Sequence, residues 1–122
     1  MGFVSIQRAA RLAGFLMLAA ITFFSLSPAS YRPVTAVGHI PEHFLVHLLL
    51  GLAFGLGYVQ RWGMLALGLI AFAGAIELAQ LFVPGRHARL SDFVVDAGSA
   101  CLGVGLVIMG RFIRHARARC KR

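Results

Sequence analysis

Residues 77–96 read ELAQLFVPGRHARLSDFVVD and hold Glu77, Asp92 and Asp96, three of the four acidic residues in the chain. This polar stretch joins two runs of about twenty mostly apolar residues, each long enough to cross a hydrocarbon core about 30 Å thick. An ionisable group at membrane depth costs roughly 2.5 to 3.5 kcal/mol on insertion scales, so a cluster of them marks either a working site or a specific joint between helices. The stretch therefore reads as a turn between two membrane helices, with charged groups carried into both.

The rest of the composition agrees. Of 122 residues, 59% are hydrophobic and only 13% charged, against about 25% charged in soluble domains, and the mean hydropathy is +0.81. The expected fold is an all-α membrane protein of four transmembrane helices in a single domain. The spans fall at about 10–28, 42–60, 63–83 and 92–112, followed by a basic tail over 111–122. This leaves no room for a soluble domain. The net charge of +8 does not point to nucleic acid, because six of the twelve basic residues crowd into the final RFIRHARARCKR. A basic cluster beside a membrane helix anchors to anionic lipid headgroups, at about 1 kcal/mol per charge. Cys101 and Cys120, nineteen residues apart, would sit about 28 Å apart on a helix, far beyond the ~7 Å that a disulfide spans.

The first apolar segment runs from Leu12 to Pro28 behind Arg8 and Arg11. A basic start and small residues near Ser27 to Ser30 also fit a cleaved secretory leader, but the apolar run is long for one and further spans follow, so a retained helix is expected. Residues Ala29 to Glu42, with Pro33, Gly38 and Pro41, read as a surface loop, and the second span begins near Pro41. In HFLVHLLLGLAFGLGYV, His43, His47, Gly51 and Gly55 step by four and share one face. Gly51 and Gly55 form a GxxxG pair that lets another helix approach closely, within the monomer or in a homo-oligomer. The link Gln60 to Gly63 is short enough to make the second and third spans a hairpin of adjacent helices. In the third span Ala73, Glu77 and Gln80 share a face, with Glu77 about 10 Å below the helix end if that helix runs to Pro84. Ser91 reads as the N-cap of the last span and Asp92 as a first-turn acid suited to the helix dipole. Asp92, Asp96, Ser99, Gly103, Leu106 and Gly110 then form an inward stripe.

With four spans both termini lie on one side, which collects Arg8, Arg11, Arg61 and the six basic residues after Met109; Arg32, Arg86 and Arg89 lie opposite. The positive-inside rule puts both termini in the cytoplasm of a cell whose cytoplasmic membrane holds the protein. Glu77, Gln80, Arg86, Asp92, Asp96, His39, His43 and His47 then converge on the exterior half of the bundle.

The arrangement of these residues resembles the VanZ-like family of small bacterial membrane proteins. The resemblance rests on SLSP at Ser25 to Pro28, on His43, Phe44 and Gly51, on ExxQ at Glu77 and Gln80, on VPGR ending at Arg86, and on Asp92, Asp96 and Gly103. The chain departs from the family pattern at His39 and Ile40, which stand where the family carries Asp-Lys, at His47 for Tyr and at Asp96 for Asn. The resemblance implies a cell-envelope protein linked to glycopeptide antibiotic resistance, without defining a reaction.

Three readings of the polar set follow. In the first, Glu77 pairs with Arg86 or Arg89 and Asp92 caps its helix, so the cluster pins helices together. In the second, Arg86 and Arg89 hold an anionic group of a lipid-linked envelope precursor through bidentate contacts, helped by Glu77, Gln80, Asp92 and Asp96. In the third, the protein is a membrane-embedded hydrolase or transferase with Glu77 or Asp92 as general base and His43 and His47 as metal ligands or proton carriers. The chain has no HExxH motif, no nucleophile elbow and no Cys-rich site, so the sequence alone assigns no metal, no cofactor and no catalytic residue beyond the candidates Glu77, Asp92 and His43.

Overall fold

The apolar runs form four α-helices: α1 over Phe3–Leu26, α2 over His39–Gly57, α3 over Trp62–Gln80 and α4 over Leu90–Cys120, with a 3-10 turn at Ala29–Tyr31. A computed structural model describes residues 2–31 and 38–120. The expected outer-loop residues Arg32 and Pro33 and the tail residues Lys121 and Arg122 lie outside the described residues. All four helices are long and apolar enough to cross a membrane, so the chain is an all-α, multi-pass membrane protein. Large apolar side chains such as Phe15, Leu16, Phe23, Leu67 and Leu102 face outward, as acyl-chain solvent requires.

Helix ends follow local chemistry. Gly38 has φ 94°, a left-handed backbone that glycine adopts without strain, and α2 begins directly after it, two residues before Pro41. Pro41 thus sits in the first turn, where its missing N–H costs no hydrogen bond. At the other end of the bundle α4 runs 31 residues, about 46 Å at 1.5 Å per residue. Its basic segment is therefore a continuation of the membrane helix, exposed from Phe112 to Cys120. Arginine and alanine are good helix formers, so nothing in RFIRHARAR stops the helix at the lipid boundary.

Packing departs from the expected hairpin in one respect. The four-residue link does place α3 next in the chain, but α2 packs chiefly against α4 and only lightly against α3. Small residues decide this. A Cβ added at Gly51 would strike the Ala100 carbonyl, and one added at Gly103 would strike the Leu48 carbonyl, so the backbones of α2 and α4 are in direct contact. The GxxxG face of α2 is thereby consumed within the chain, with Gly55 against Val107 and Val104. Below it Leu50, Phe54, Leu69, Ala100, Val104 and Ile21 form the apolar core.

Along α4 the inward stripe is Asp92, Asp96, Ser99, Ala100, Gly103, Val104 and Val107. Leu106, expected on this face, is exposed, and Gly110 has open space around it. At about 100° per residue the buried face of α4 is centred further around, toward Ala100, Val104 and Val107, and Leu106 lies about 100° from Val107, off its edge. The helix α1 joins through Phe15, whose ring meets Phe54 edge-on at 5.3 Å, and through Arg11, which donates to the Gly57 carbonyl at 2.8 Å and lies over the Tyr58 ring.

Candidate functional site

The helices α2 and α4 run parallel, and both step by four residues in their polar halves. A constant offset of 53 residues in the chain therefore pairs His43 with Asp96 and brings His39 Nε2 to 3.6 Å from the Asp92 carboxylate. His43 Nδ1 lies 2.9 and 3.1 Å from the two Asp96 oxygens. His47 Nδ1 lies 3.1 Å from Asp96 Oδ1 and 2.9 Å from the His43 carbonyl. A carbonyl only accepts, so His47 donates from Nδ1 and its Nε2 carries the bare lone pair. That Nε2 is buried without a hydrogen-bond partner among the described residues. His39 and His43 stack at 4.3 Å, continuing the column toward the helix start.

Asp96 is the most enclosed polar residue of the set at 1% exposure. Its own backbone carbonyl accepts from Ser99, so the turn of α4 that carries it is fixed as well.

Glu77 approaches from α3. The chain leaves that helix at Gln80, earlier than expected, because Leu81, Phe82 and Val83 donate to carbonyls three residues back and tighten the turn. Glu77 therefore sits in the last turn of α3, close to its end rather than about 10 Å below it. Its Oε2 accepts the backbone N–H of Arg89 at 2.9 Å, the residue just before α4, while Oε1 is buried without a partner among the described residues. It lies within electrostatic reach of Asp92, Asp96 and His43. The carboxylates of α3 and α4 thus converge on one place.

The arginines do something other than expected. Among the described residues no ion pair joins Glu77 to Arg86 or Arg89. Arg86 instead donates to the carbonyls of Phe24 at 2.8 Å and Ser27 at 3.2 Å, at the C-terminal end of α1, where a cation satisfies orphan carbonyls and suits the helix dipole. Gln80 reaches the Ser25 carbonyl at 3.4 Å. The side chain of Arg89 is exposed. Ser91, expected as the N-cap, is the second residue of α4 and bonds the Asp92 carboxylate at 3.2 Å.

Replacing Arg86 with alanine leaves those α1 carbonyls without their donor. We expect a loss of about 1 to 3 kcal/mol, read as a lower melting temperature of the detergent-purified protein, with Arg86→Lys recovering only part because an ammonium lacks the planar fork. An unchanged melting temperature in Arg86→Ala denies this anchoring role.

Beside the polar column lies a cleft of about 380 Å³ between α1 and α2. Met17, Ala20, Ile21 and Phe24 form its apolar wall; Glu42, His43, His47, Gln80 and Arg86 gather at its polar side. Sequence reasoning found the histidines, Glu77 and the aspartates, but not Glu42 or the α1 carbonyls. A backbone group carries no residue-type signal, and Glu42, one residue before His43, is off the four-residue stripe. No family model, curated protein or solved structure matches the chain.

Proposed function

We propose that the chain is a VanZ-like integral membrane protein of the cell envelope that binds an anionic, lipid-linked ligand in the cleft between α1 and α2. The observation that carries this reading is the two-sided lining of that cleft: an apolar wall from α1 and a polar side holding Arg86, Gln80 and the histidines. A volume of about 380 Å³ falls in the range of small-molecule sites, roughly 300 to 1,000 Å³. It suits an amphiphile whose chain lies along Met17, Ile21 and Phe24 while its headgroup meets the guanidinium of Arg86, which keeps its charge while donating to carbonyls. Arg89 has no part in this, since it does not line the cleft.

The distribution of basic residues supports a cytoplasmic-membrane orientation with both termini inside, so that the polar end of the cleft opens at the exterior headgroups. Envelope precursors carried on lipid present phosphate at that level, and the link to glycopeptide resistance implied by the family resemblance belongs with such a ligand. The basic end of α4 anchors to anionic headgroups on the opposite side. No reaction is part of this reading.

Filling the cleft tests it. Ala20→Phe places a ring in the cleft from its apolar wall while leaving Arg86 and the histidines themselves unchanged. Native mass spectrometry of protein extracted in mild detergent should show an anionic amphiphile retained by the wild type and reduced about tenfold or more in the variant, equivalent to at least 1.4 kcal/mol. Retention unchanged in Ala20→Phe, or only bulk lipid in both, refutes the binding reading and leaves helix pinning as the role of the polar set.

A further inference from the structure

We infer that His43, His47 and Asp96 bind one divalent transition-metal ion of the zinc class. One ligand atom from each residue lies within 4.8 Å of the others. A tetrahedral zinc with bonds of about 2.0 to 2.1 Å to nitrogen and oxygen needs donors about 3.4 Å apart, so the three side chains draw together on binding. Two neutral imidazoles and one carboxylate make the donor set of zinc centres that keep a coordination position open. Here the open direction is the cleft, because His43 and His47 both line it.

Two further observations point the same way. His47 is 4% exposed, and its Nε2 is buried with no partner among the described residues. A lone pair left so costs free energy unless something binds it. Its Nδ1–H is held by the His43 backbone carbonyl, the outer arrangement that fixes the tautomer of metal-binding histidines; Asp96, 3.1 Å from that Nδ1, must turn toward the Nε2 side to share the ion. The second observation concerns charge. Glu77, Asp92 and Asp96 are all buried, and among the described residues none has a lysine or arginine within ion-pair distance. Three carboxylates at one end of a lipid-embedded bundle, met among the described residues by histidines and a backbone N–H rather than by lysine or arginine, make a place where a cation is favoured. A dication beside Asp96 would meet that demand.

The inference does not rest on the lipid-binding reading, because its donors are complete without a ligand in the cleft. It is tested with the metal alone. Full-length protein is purified in detergent, stripped with chelator and titrated with Co²⁺. The expected result is one ion per chain, with visible bands of a low-coordinate nitrogen and oxygen site and no thiolate charge-transfer band, displaced by one equivalent of Zn²⁺. His47→Gln should weaken uptake by more than the roughly 10- to 100-fold that losing an outer-shell partner typically costs. His43→Gln, nearer the cleft mouth, should do the same, and it gives the reading if His47→Gln does not fold. The triple variant His87→Ala, His115→Ala, Cys120→Ala removes exposed donors elsewhere and should leave uptake unchanged. No stoichiometric binding by folded wild type, undiminished binding in His43→Gln, or binding lost in the triple variant overturns the site.

Discussion

Replacing Gly103 with valine should prevent α2 and α4 from docking. Even one added Cβ at this position strikes the Leu48 carbonyl and comes within 2.7 Å of the Leu52 nitrogen and 3.0 Å of the Gly51 carbonyl carbon. All are backbone atoms on a helix that cannot yield locally, so the helices must separate. Overpacking ordinarily costs about 1 to 3 kcal/mol where side chains can shift; here the cost should exceed that range. Separation would also pull the histidines of α2 away from the aspartates of α4, since the same register holds both. The measurement is the melting temperature and the monomer peak in detergent, with Gly98→Ala and Gly105→Ala as controls. Both control positions have nothing within 4 Å of an added Cβ, and removing glycine from a helix interior should leave stability unchanged or raise it by up to about 1 kcal/mol. A Gly103→Val protein that melts like wild type would mean that these backbones do not touch.

The second large effect separates two accounts of Glu77. If Glu77 and Arg86 were a buried pair, Glu77→Arg with Arg86→Glu would restore much of what each single change loses. The geometry forbids that rescue. Glu77 receives the N–H that precedes α4, where an arginine would instead set a cation against the positive end of a helix. Arg86 feeds the carbonyls at the end of α1, where a glutamate would set like against like. Each single substitution should cost about 3 to 5 kcal/mol, the range for a buried charge left without its partner. The double variant should be at least as unstable as the worse single one, with an interaction energy near zero in a double-mutant cycle on melting. Recovery of stability in the double variant would establish the direct pair and undo the assignment of Arg86 to α1.

These two outcomes bear on function as well as folding. Arg86 and Gln80 tie the end of α1 to the end of α3 and the turn after it, at the polar side of the cleft. Arg86 therefore has two duties, as an anchor through its donors and as the positive charge of the polar side. Cleft filling at Ala20 leaves the anchor intact, which is why it isolates ligand retention from stability.

How much of this could be read in advance differs by level. The four helices and the polar end of the bundle were legible, because hydropathy over about twenty residues and the cost of buried charge are properties of composition and spacing, whereas the start of α1 at Phe3 and the run of α4 to Cys120 lie beyond the apolar segments. The face of α2 carrying His43, His47, Gly51 and Gly55 followed from four-residue steps alone, and His47, Gly51 and Gly55 are buried. Leu106 was misplaced because three- and four-residue steps from Asp92 do not show that the buried face is centred further around α4, toward Ala100, Val104 and Val107.

The sequence by itself determined a four-helix membrane protein with its acidic residues and His39, His43 and His47 gathered at one end and most of its arginines at the other, since lipid penalises charged side chains left at depth without partners. Tertiary structure alone decided which carboxylate meets which histidine, that α2 lies on α4 rather than on its neighbour in the chain, and that Arg86 serves the carbonyls of α1. Those choices depend on how closely two backbones approach at Gly51 and Gly103 and on backbone acceptors that no residue type announces, and both are set only when helices distant in the chain are brought together.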